Sequence, residues 1–276
     1  MPELPEVETI ARGLREGAQP PGVSVVGRQI AAAQVLWPKT IAAPSPQAFA
    51  RRITGQTISE VGRRGKYLIF HLDRDKLLIH LRMSGDIVVR PAHEPPAPHD
   101  RVVLTLEGRV HLAFNDTRKF GRLWLLADPG PIFQKLGPEP FDPELTPQRF
   151  FQALHNRRRQ LKPLLLDQSF LAGLGNIYTD EALHRAGLHP LTPAHTLTEA
   201  QAARLLAEIR QVLQDGIRSN GASIDWVYRG GGFQNQFRVY GRGGQPCPQC
   251  GATIERIVVG QRGTHFCPTC QPGTGW

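Results

Sequence analysis

A proline directly behind the initiator methionine, with a glutamate next to it, is the pairing in this chain that could do the most chemistry. The chain opens Met1-Pro2-Glu3-Leu4-Pro5-Glu6. Methionine is usually removed ahead of a small residue, and the nitrogen of Pro2 would then be a free secondary amine. An α-amino group titrates near ~8, so a useful fraction is unprotonated at neutral pH. Such an amine can attack a carbonyl-like carbon and form an iminium that is cationic without a further proton, which is covalent catalysis of the Schiff-base type. Glu3 and Glu6 stand beside it as candidate proton carriers. The same residues have a plain structural reading as well. Proline suits the first turn of a helix, where its missing N–H is harmless, and glutamate there complements the helix dipole.

The second cluster is Cys247-x-x-Cys250, 16 residues, then Cys267-x-x-Cys270, which accounts for all 4 cysteines. This is the spacing of a four-cysteine zinc site; iron or a pair of disulfides are the alternatives. A strand over Ile254–Val259 and the turn Gly260-Gln261-Arg262-Gly263 between the pairs predict a β-hairpin zinc ribbon. A closed ligand set makes one Zn2+ structural, with the task of fixing the hairpin turn so that Arg262 can reach a phosphate. No organic cofactor is expected. A third signal is Leu171-Ala172-Gly173-Leu174-Gly175-Asn176-Ile177-Tyr178. Its two glycines permit a tight double turn between helices, and backbone N–H groups at such a turn can hold phosphate without reading sequence. An ordinary helix cap would look the same.

These groups need elements to position them. Val7, Ile10, Ala11 and Leu14 recur at helical spacing, so Pro5 to about Arg15 reads as an amphipathic helix carrying the Pro2 region. From residue 23 the period changes to short strands: Val23–Val26, Ile53–Ile58, Tyr67–Leu72, Leu77–Leu81, Ile87–Val89, Val102–Leu106, Val110–Phe114 and Leu123–Leu126. Many short strands split by turn residues predict an antiparallel sandwich or barrel. Proline crowds 128–147, which reads as a linker. Beyond it Phe150–Leu154, Leu161–Asp167 and Asn176–Ala186 read as short helices. Thr198-x-x-Gln201 is a capping box that opens a longer helix with Leu205, Leu206, Ile209, Val212, Leu213 and Ile217 on one face. The glycine-rich stretch 221–232 has the composition of a lid.

Composition narrows the partner. The 276 residues carry a net charge of +9 and have room for more than one core. That balance points to a polyanion, either nucleic acid or an acidic membrane surface. No apolar run approaches the ~18 residues of a membrane span, and an acidic, proline-bearing start is unlike a signal peptide. Cysteines confined to one cluster fit a cytosolic protein with a single metal site.

Several stretches, taken together and in order, resemble the formamidopyrimidine-DNA glycosylase family of bacterial base-excision repair. They are Pro2 to Thr9, Arg63-Arg64-Gly65-Lys66-Tyr67, His80-Leu81-Arg82-Met83-Ser84-Gly85, Asn115-Asp116-x-Arg118-x-Phe120-Gly121, Asp167-Gln168-Ser169 with Gly173-x-Gly175-Asn176-Ile177-Tyr178, and Arg262-Gly263-Thr264-x-Phe266-Cys267-Pro268-x-Cys270. The sister family, endonuclease VIII, shares the Pro-Glu start, the double turn and the ribbon. It differs where Met83, Arg118 and Phe120 stand.

The resemblance implies an α+β multidomain fold. Residues 1–130 would form a β-sandwich with the catalytic N-terminal helix and 131–147 a linker. Residues 148–237 would form a helical domain with a helix-two-turn-helix motif, and 238–276 the zinc ribbon. It implies excision of 8-oxoguanine and formamidopyrimidines from duplex DNA, then strand cleavage by β,δ-elimination. The lesion nucleotide would be flipped out of the helix. Pro2 and Glu3 would carry the chemistry with Lys66 and Arg262, and Glu6 in support. Lys66, His80, Asn176, Tyr240 and Arg262 would clamp phosphates, joined by His99 and Arg157. Met83 and Phe120 would fill and wedge the vacated stack, and Arg118 would read the orphaned cytosine. Ser223 and Asp225 would face the flipped base, although an apolar Ile224 stands between them where a basic residue is expected. Arg157, Arg158, Arg159 and Lys162 are expected to form a solvated basic face. The partner is double-stranded DNA holding oxidised bases or abasic sites, bound by a monomer in the cytoplasm near the nucleoid. The competing readings are an endonuclease VIII-like enzyme for oxidised pyrimidines, a zinc-ribbon protein that binds DNA without cutting it, and a basic protein of RNA or membrane surfaces.

Overall fold

The N-terminal apolar stripe folds as expected. In a computed structural model that describes residues 1–18, 22–223 and 230–273, α1 (Leu4–Glu16) starts from Glu3 as its N-cap, with Pro5 in its first turn. It stops at Gly17, whose φ of 70° suits glycine. A side chain at Gly17 would also lie 2.8 Å from the backbone of Val23 and Ser24. Val7, Ile10, Ala11 and Leu14 are all buried in one core with residues of both sheets. At about 1.5–3 kcal/mol for each large side chain removed from water, this stripe is enough to dock the helix.

Among the described residues, nine strands form two sheets of the first unit: β1 (Ile30–Val35), β2 (Ile41–Ala43), β3 (Ile58–Arg64), β4 (Tyr67–Leu72), β5 (Lys76–His80), β6 (Gly85–Pro91), β7 (Asp100–Leu106), β8 (Val110–Asp116) and β9 (Arg122–Leu126). One sheet has the order β1-β7-β8-β6 and the other β2-β9-β5-β4-β3. Every pairing is antiparallel except β2 with β9. The sandwich is therefore as predicted, but the first third of it differs in detail. Val23–Val26 is irregular chain, with Val25 buried in the core. Ile53–Ile58 is no strand either: Ile53 ends a helix, α2 (Pro46–Ile53), capped by Ser45 Oγ accepting from Ala48 N–H, and Ile58 begins β3.

The chain divides into two compact units, the first covering Met1–Gln134 and the second Lys135–Ala222 with Gly232–Trp276. A short helix, α3 (Gly130–Phe133), lies in the proline-rich stretch read as a linker. The second unit holds α4 (Pro147–His155), α5 (Leu161–Leu165), α6 (Asn176–Ala186) and α7 (Glu199–Arg218), then the hairpin β10 (Glu255–Val259) and β11 (Arg262–Phe266). The capping box at Thr198 and Gln201 opens α7 as expected. Helix α6 is unusual in burying Thr179, Asp180, Glu181 and His184 together with its apolar residues. A helix buried on all sides must find a partner for each of those polar groups.

Candidate active site and nucleic-acid interface

Pro2, Glu3 and Glu6 are all buried at the start of α1. Glu3 N–H donates to Glu6 Oε2 at 2.8 Å, and the two residues form a capping box. This bond supports the helix start and fixes the backbone next to Pro2. Glu8 ties the same helix to β3, accepting from Arg63 Nε at 2.8 Å and Arg15 Nη2 at 3.0 Å, while Arg15 also donates to Val61 O. Strand β3 runs directly into the turn that holds Gly65 and Lys66, so the Glu8 pairs fasten the helix behind Pro2 to the hairpin bearing Lys66.

Lys66 is buried despite its charge, and so is His80. The His80 ring packs edge-on against Tyr67 at 4.7 Å, and its Nδ1 accepts from Arg82 N–H at 3.1 Å. Burial, then the charges of Arg82 and Lys66, push its pKa down to about 3. His80 is therefore neutral near pH 7 and can offer a phosphate only the N–H of Nε2. His99 is exposed, and its carbonyl oxygen accepts from Asp116 N–H at 2.9 Å.

Met83 and Phe120 are large apolar residues that the sandwich leaves outside its core, 41% and 48% exposed. Arg118 is also exposed, with its guanidinium 5.1 Å from the centre of the Phe120 ring. Ser223 Oγ accepts from Gly231 N–H at 2.9 Å, whereas Ile224 and Asp225 lie outside the described residues.

In the second unit, Gly260 and Gln261 form the tip of the hairpin with φ of 54° and 63°. Two left-handed residues in succession fit the turn that matches strand twist. They set Arg262, which is exposed, opposite Val259 in the ladder. Asn176 is the first residue of α6, and its Nδ2 donates to Gly263 O at 3.1 Å. The Tyr240 ring lies 5.3 Å from that of His265 on β11. The structure thus gathers Arg262, Asn176 and Tyr240 around one hairpin. Arg157 stands apart on the helical surface, exposed beyond the end of α4.

Two buried carboxylates on this unit, Asp180 and Glu181, lie outside the sequence expectations, and Lys162 departs from its own. Instead of joining a solvated basic face, Lys162 is wholly buried. It donates to Asp180 Oδ1 at 2.6 Å and to Gly263 O at 3.0 Å. The other oxygen of Asp180 accepts from His265 N–H at 3.0 Å. Glu181 accepts from the N–H groups of Arg238, Val239 and Tyr240, the last at 2.8 Å. One signal for Asp180 is in the sequence: Asn176, Asp180 and His184 recur every four residues, on one face of α6.

The four cysteine sulfurs lie within 4.8 Å of one another. Gly251 N–H donates to Cys247 O and Gln271 N–H to Cys267 O, folding each pair into a tight knuckle. Burial, then crowding by the other thiols, pushes the Cys270 thiol up, whereas Cys250 is lowered to about 7, first by the Ala252 N–H. A divalent cation among the sulfurs reverses the upward push and deprotonates them outright. His184 Nε2 sits 3.5 Å from Cys247 Sγ, where it can donate to a ligating thiolate. The set fits one structural Zn2+ with no open position.

Comparison with known proteins assigns this sandwich with its proline-started helix, and the helical unit with its four-cysteine hairpin, to one class of DNA-repair enzyme. Residues 1–123 match the formamidopyrimidine-DNA glycosylase N-terminal domain, 136–227 its H2TH domain, and 244–273 a zinc finger found in FPG and IleRS. The formamidopyrimidine-DNA glycosylase of Chloroflexus aurantiacus is 47% identical over 98% of both chains. That of Bacillus subtilis is 43% identical over 98% of this chain and 99% of its own. Two solved complexes of the Lactococcus lactis protein, one with DNA containing Fapy-dG and one with DNA containing an abasic site, each superpose with a TM-score of 0.90 at 37% identity. Each covers 98% of this chain and 100% of that one. This chain belongs to the formamidopyrimidine-DNA glycosylase family.

Proposed function

We propose that this chain excises oxidised purines from duplex DNA and then cuts the strand at the abasic site, with Pro2 as the nucleophile. The observation that carries the reading is the start of α1, where Pro2 is buried beside a helix N-cap held by the Glu3–Glu6 bond. Met1 is exposed, which suits its removal. The freed amine of Pro2 attacks C1′ of the flipped nucleotide, Glu3 handles protons at the sugar, and the base leaves. The C1′ iminium acidifies the C2′ hydrogens, so β-elimination breaks the 3′ side and δ-elimination then breaks the 5′ side. Lys66 and the N–H of neutral His80 hold flanking phosphates, with His99 and Arg157 farther along the backbone. Asn176, Tyr240 and Arg262 hold the phosphate ester nearest the lesion, and Arg262 assists the second elimination.

Met83 and Phe120 fill the space that the flipped nucleotide leaves, and Arg118 donates to the orphaned cytosine. Ser223 and Asp225 belong to the stretch that covers the base. Zn2+ supplies no chemistry; Cys247, Cys250, Cys267 and Cys270 hold it to stiffen the hairpin. No described helix is long and apolar enough to cross a membrane, and a place in the cytoplasm, at the nucleoid, belongs to the same reading.

Product analysis tests it. A duplex with one 8-oxoguanine opposite cytosine should yield the free base and a one-nucleotide gap with phosphate at both ends. Base release with an uncut strand would refute the bifunctional reading. Faster excision of oxidised pyrimidines than of purines would move the chain to the sister activity.

A further inference from the structure

Two turns carry Met83, Arg118 and Phe120, and they leave neighbouring strands from the same rung, because Gly85 on β6 pairs with Asp116 on β8. Both turns are tightly specified. Arg82 and Lys119 hold left-handed backbone with φ of 57° and 62°. A side chain on Gly85 would lie 2.5 Å from Leu81 O, and one on Gly121 would lie 2.2 Å from the Phe114 ring.

One buried carboxylate joins the two turns. Asp116 is fully buried. Its Oδ1 accepts from the Ser84 hydroxyl and from Arg118 N–H at 3.1 Å, and its Oδ2 accepts from Gly121 N–H at 2.7 Å. Ser84 Oγ itself accepts from Arg118 N–H at 3.1 Å, so the serine beside Met83 touches the backbone of Arg118 directly. Hydrogen bonds to a buried carboxylate are strong, and leaving one of its oxygens without a donor is costly. Neither turn can shift alone without breaking this cluster.

We infer that Asp116 and Ser84 are positioning residues that lock the Met83 turn to the Arg118–Phe120 turn, so that the wedge side chains enter the duplex as one body. The inference rests on the reading that those side chains do enter it. Its consequence is cooperativity: with one wedge gone, the locked pair is already misplaced, and losing the second adds little.

A double-mutant cycle tests this. Single-turnover excision of 8-oxoguanine opposite cytosine is measured for Met83→Ala, Phe120→Ala and the double variant, in the parent chain and with Ser84→Ala. Ser84→Ala removes the bridge but leaves Asp116 both of its backbone donors, and thermal unfolding checks that the sandwich is intact. In the parent, the double variant should be impaired about fivefold less than the product of the single effects, a coupling usual within one hydrogen-bonded network. With Ser84→Ala the effects should multiply, and amide exchange in 81–85 and 116–121 should quicken together. Single effects without coupling in the parent, or coupling undiminished by Ser84→Ala, would overturn this inference and leave the wedge reading standing. If neither single variant slows excision, the wedge reading falls and this inference falls with it.

Discussion

Pro2 stands at the head of a helix whose apolar stripe is sunk in a core shared by two sheets, whereas Arg262 stands on a hairpin whose own apolar cluster is Val239, Cys247, Ile254 and Cys267. The sandwich can position a side chain by packing alone, because a large core leaves each element one place to sit. The hairpin cannot. It relies on four sulfurs placed to hold a metal, on the Lys162–Asp180 pair reaching Gly263, and on Glu181 gripping the backbone of 238–240. Small cores need such staples, and here they end next to Arg262, Asn176 and Tyr240.

That contrast can be broken at its widest point by removing the metal. Cys250→Ser should release zinc, whose binding free energy in small fingers is on the order of 10–16 kcal/mol. The hairpin should lose order and lesion DNA should bind more weakly. The thermal transition of the sandwich should stay where it is. Zinc loss with unchanged affinity for lesion duplex would mean that the hairpin does not grip DNA. Lys162→Met comes next. It leaves Asp180 as a buried charge without its cation, which costs about 3–5 kcal/mol. Calorimetry should show the second unit destabilised, and zinc should pass more readily to a chelator. An unchanged zinc off-rate would show that the buried pair and the metal are independent supports.

Within the sandwich, Arg118→Ala should be felt in selectivity rather than stability. Orphaned cytosine presents two acceptors to the guanidinium, while adenine presents a donor amino group. A donor–donor clash at a desolvated edge costs roughly 1–3 kcal/mol, or about ten- to a hundredfold. The variant should therefore lose activity opposite cytosine far more than opposite adenine, as single-turnover rates on the two duplexes would reveal. A full cytosine preference in Arg118→Ala would assign discrimination elsewhere. The last effect concerns pH. His80 stays neutral in the fold down to about 3 because of its burial, while in the unfolded chain it takes up a proton below about 6.5. The fold therefore loses stability as pH falls between those values, by up to about 1.4 kcal/mol per pH unit. His80→Gln should flatten the denaturation midpoint against pH between 6.5 and 5; an unchanged slope would mean that His80 is not the group concerned.

The parts of the fold legible in the sequence were those where local pattern and tertiary role agree. Tyr67–Leu72 and Asn176–Ala186 have the bounds their patterns predict. Strand β1 is not legible in the sequence because Ala31, Ala32 and Ala33 carry little strand preference, and its pairing with β7 makes it extended. Ile53 and Ile58 looked like one strand because β-branched residues flank a short polar gap. The Ser45 cap makes Ile53 the end of a helix instead. In the site, chemistry-bearing motifs were readable because their spacing is local. Lys162 was not, since its burial depends on Asp180 eighteen residues on and on a hairpin a hundred residues away. A lysine beside three arginines looks solvated until its partner is known.

The central claim is that the Pro2 nitrogen becomes covalently bound to the sugar, and borohydride trapping with peptide mapping tests it most directly. A duplex carrying 8-oxoguanine is incubated with the protein and borohydride, and the cross-linked peptide is sequenced by mass spectrometry. The account predicts a single adduct on the N-terminal peptide, at Pro2, and none on protein that retains Met1, whose excision rate should also fall by orders of magnitude. An adduct mapped to Lys66, or full excision by protein that keeps Met1, would contradict it.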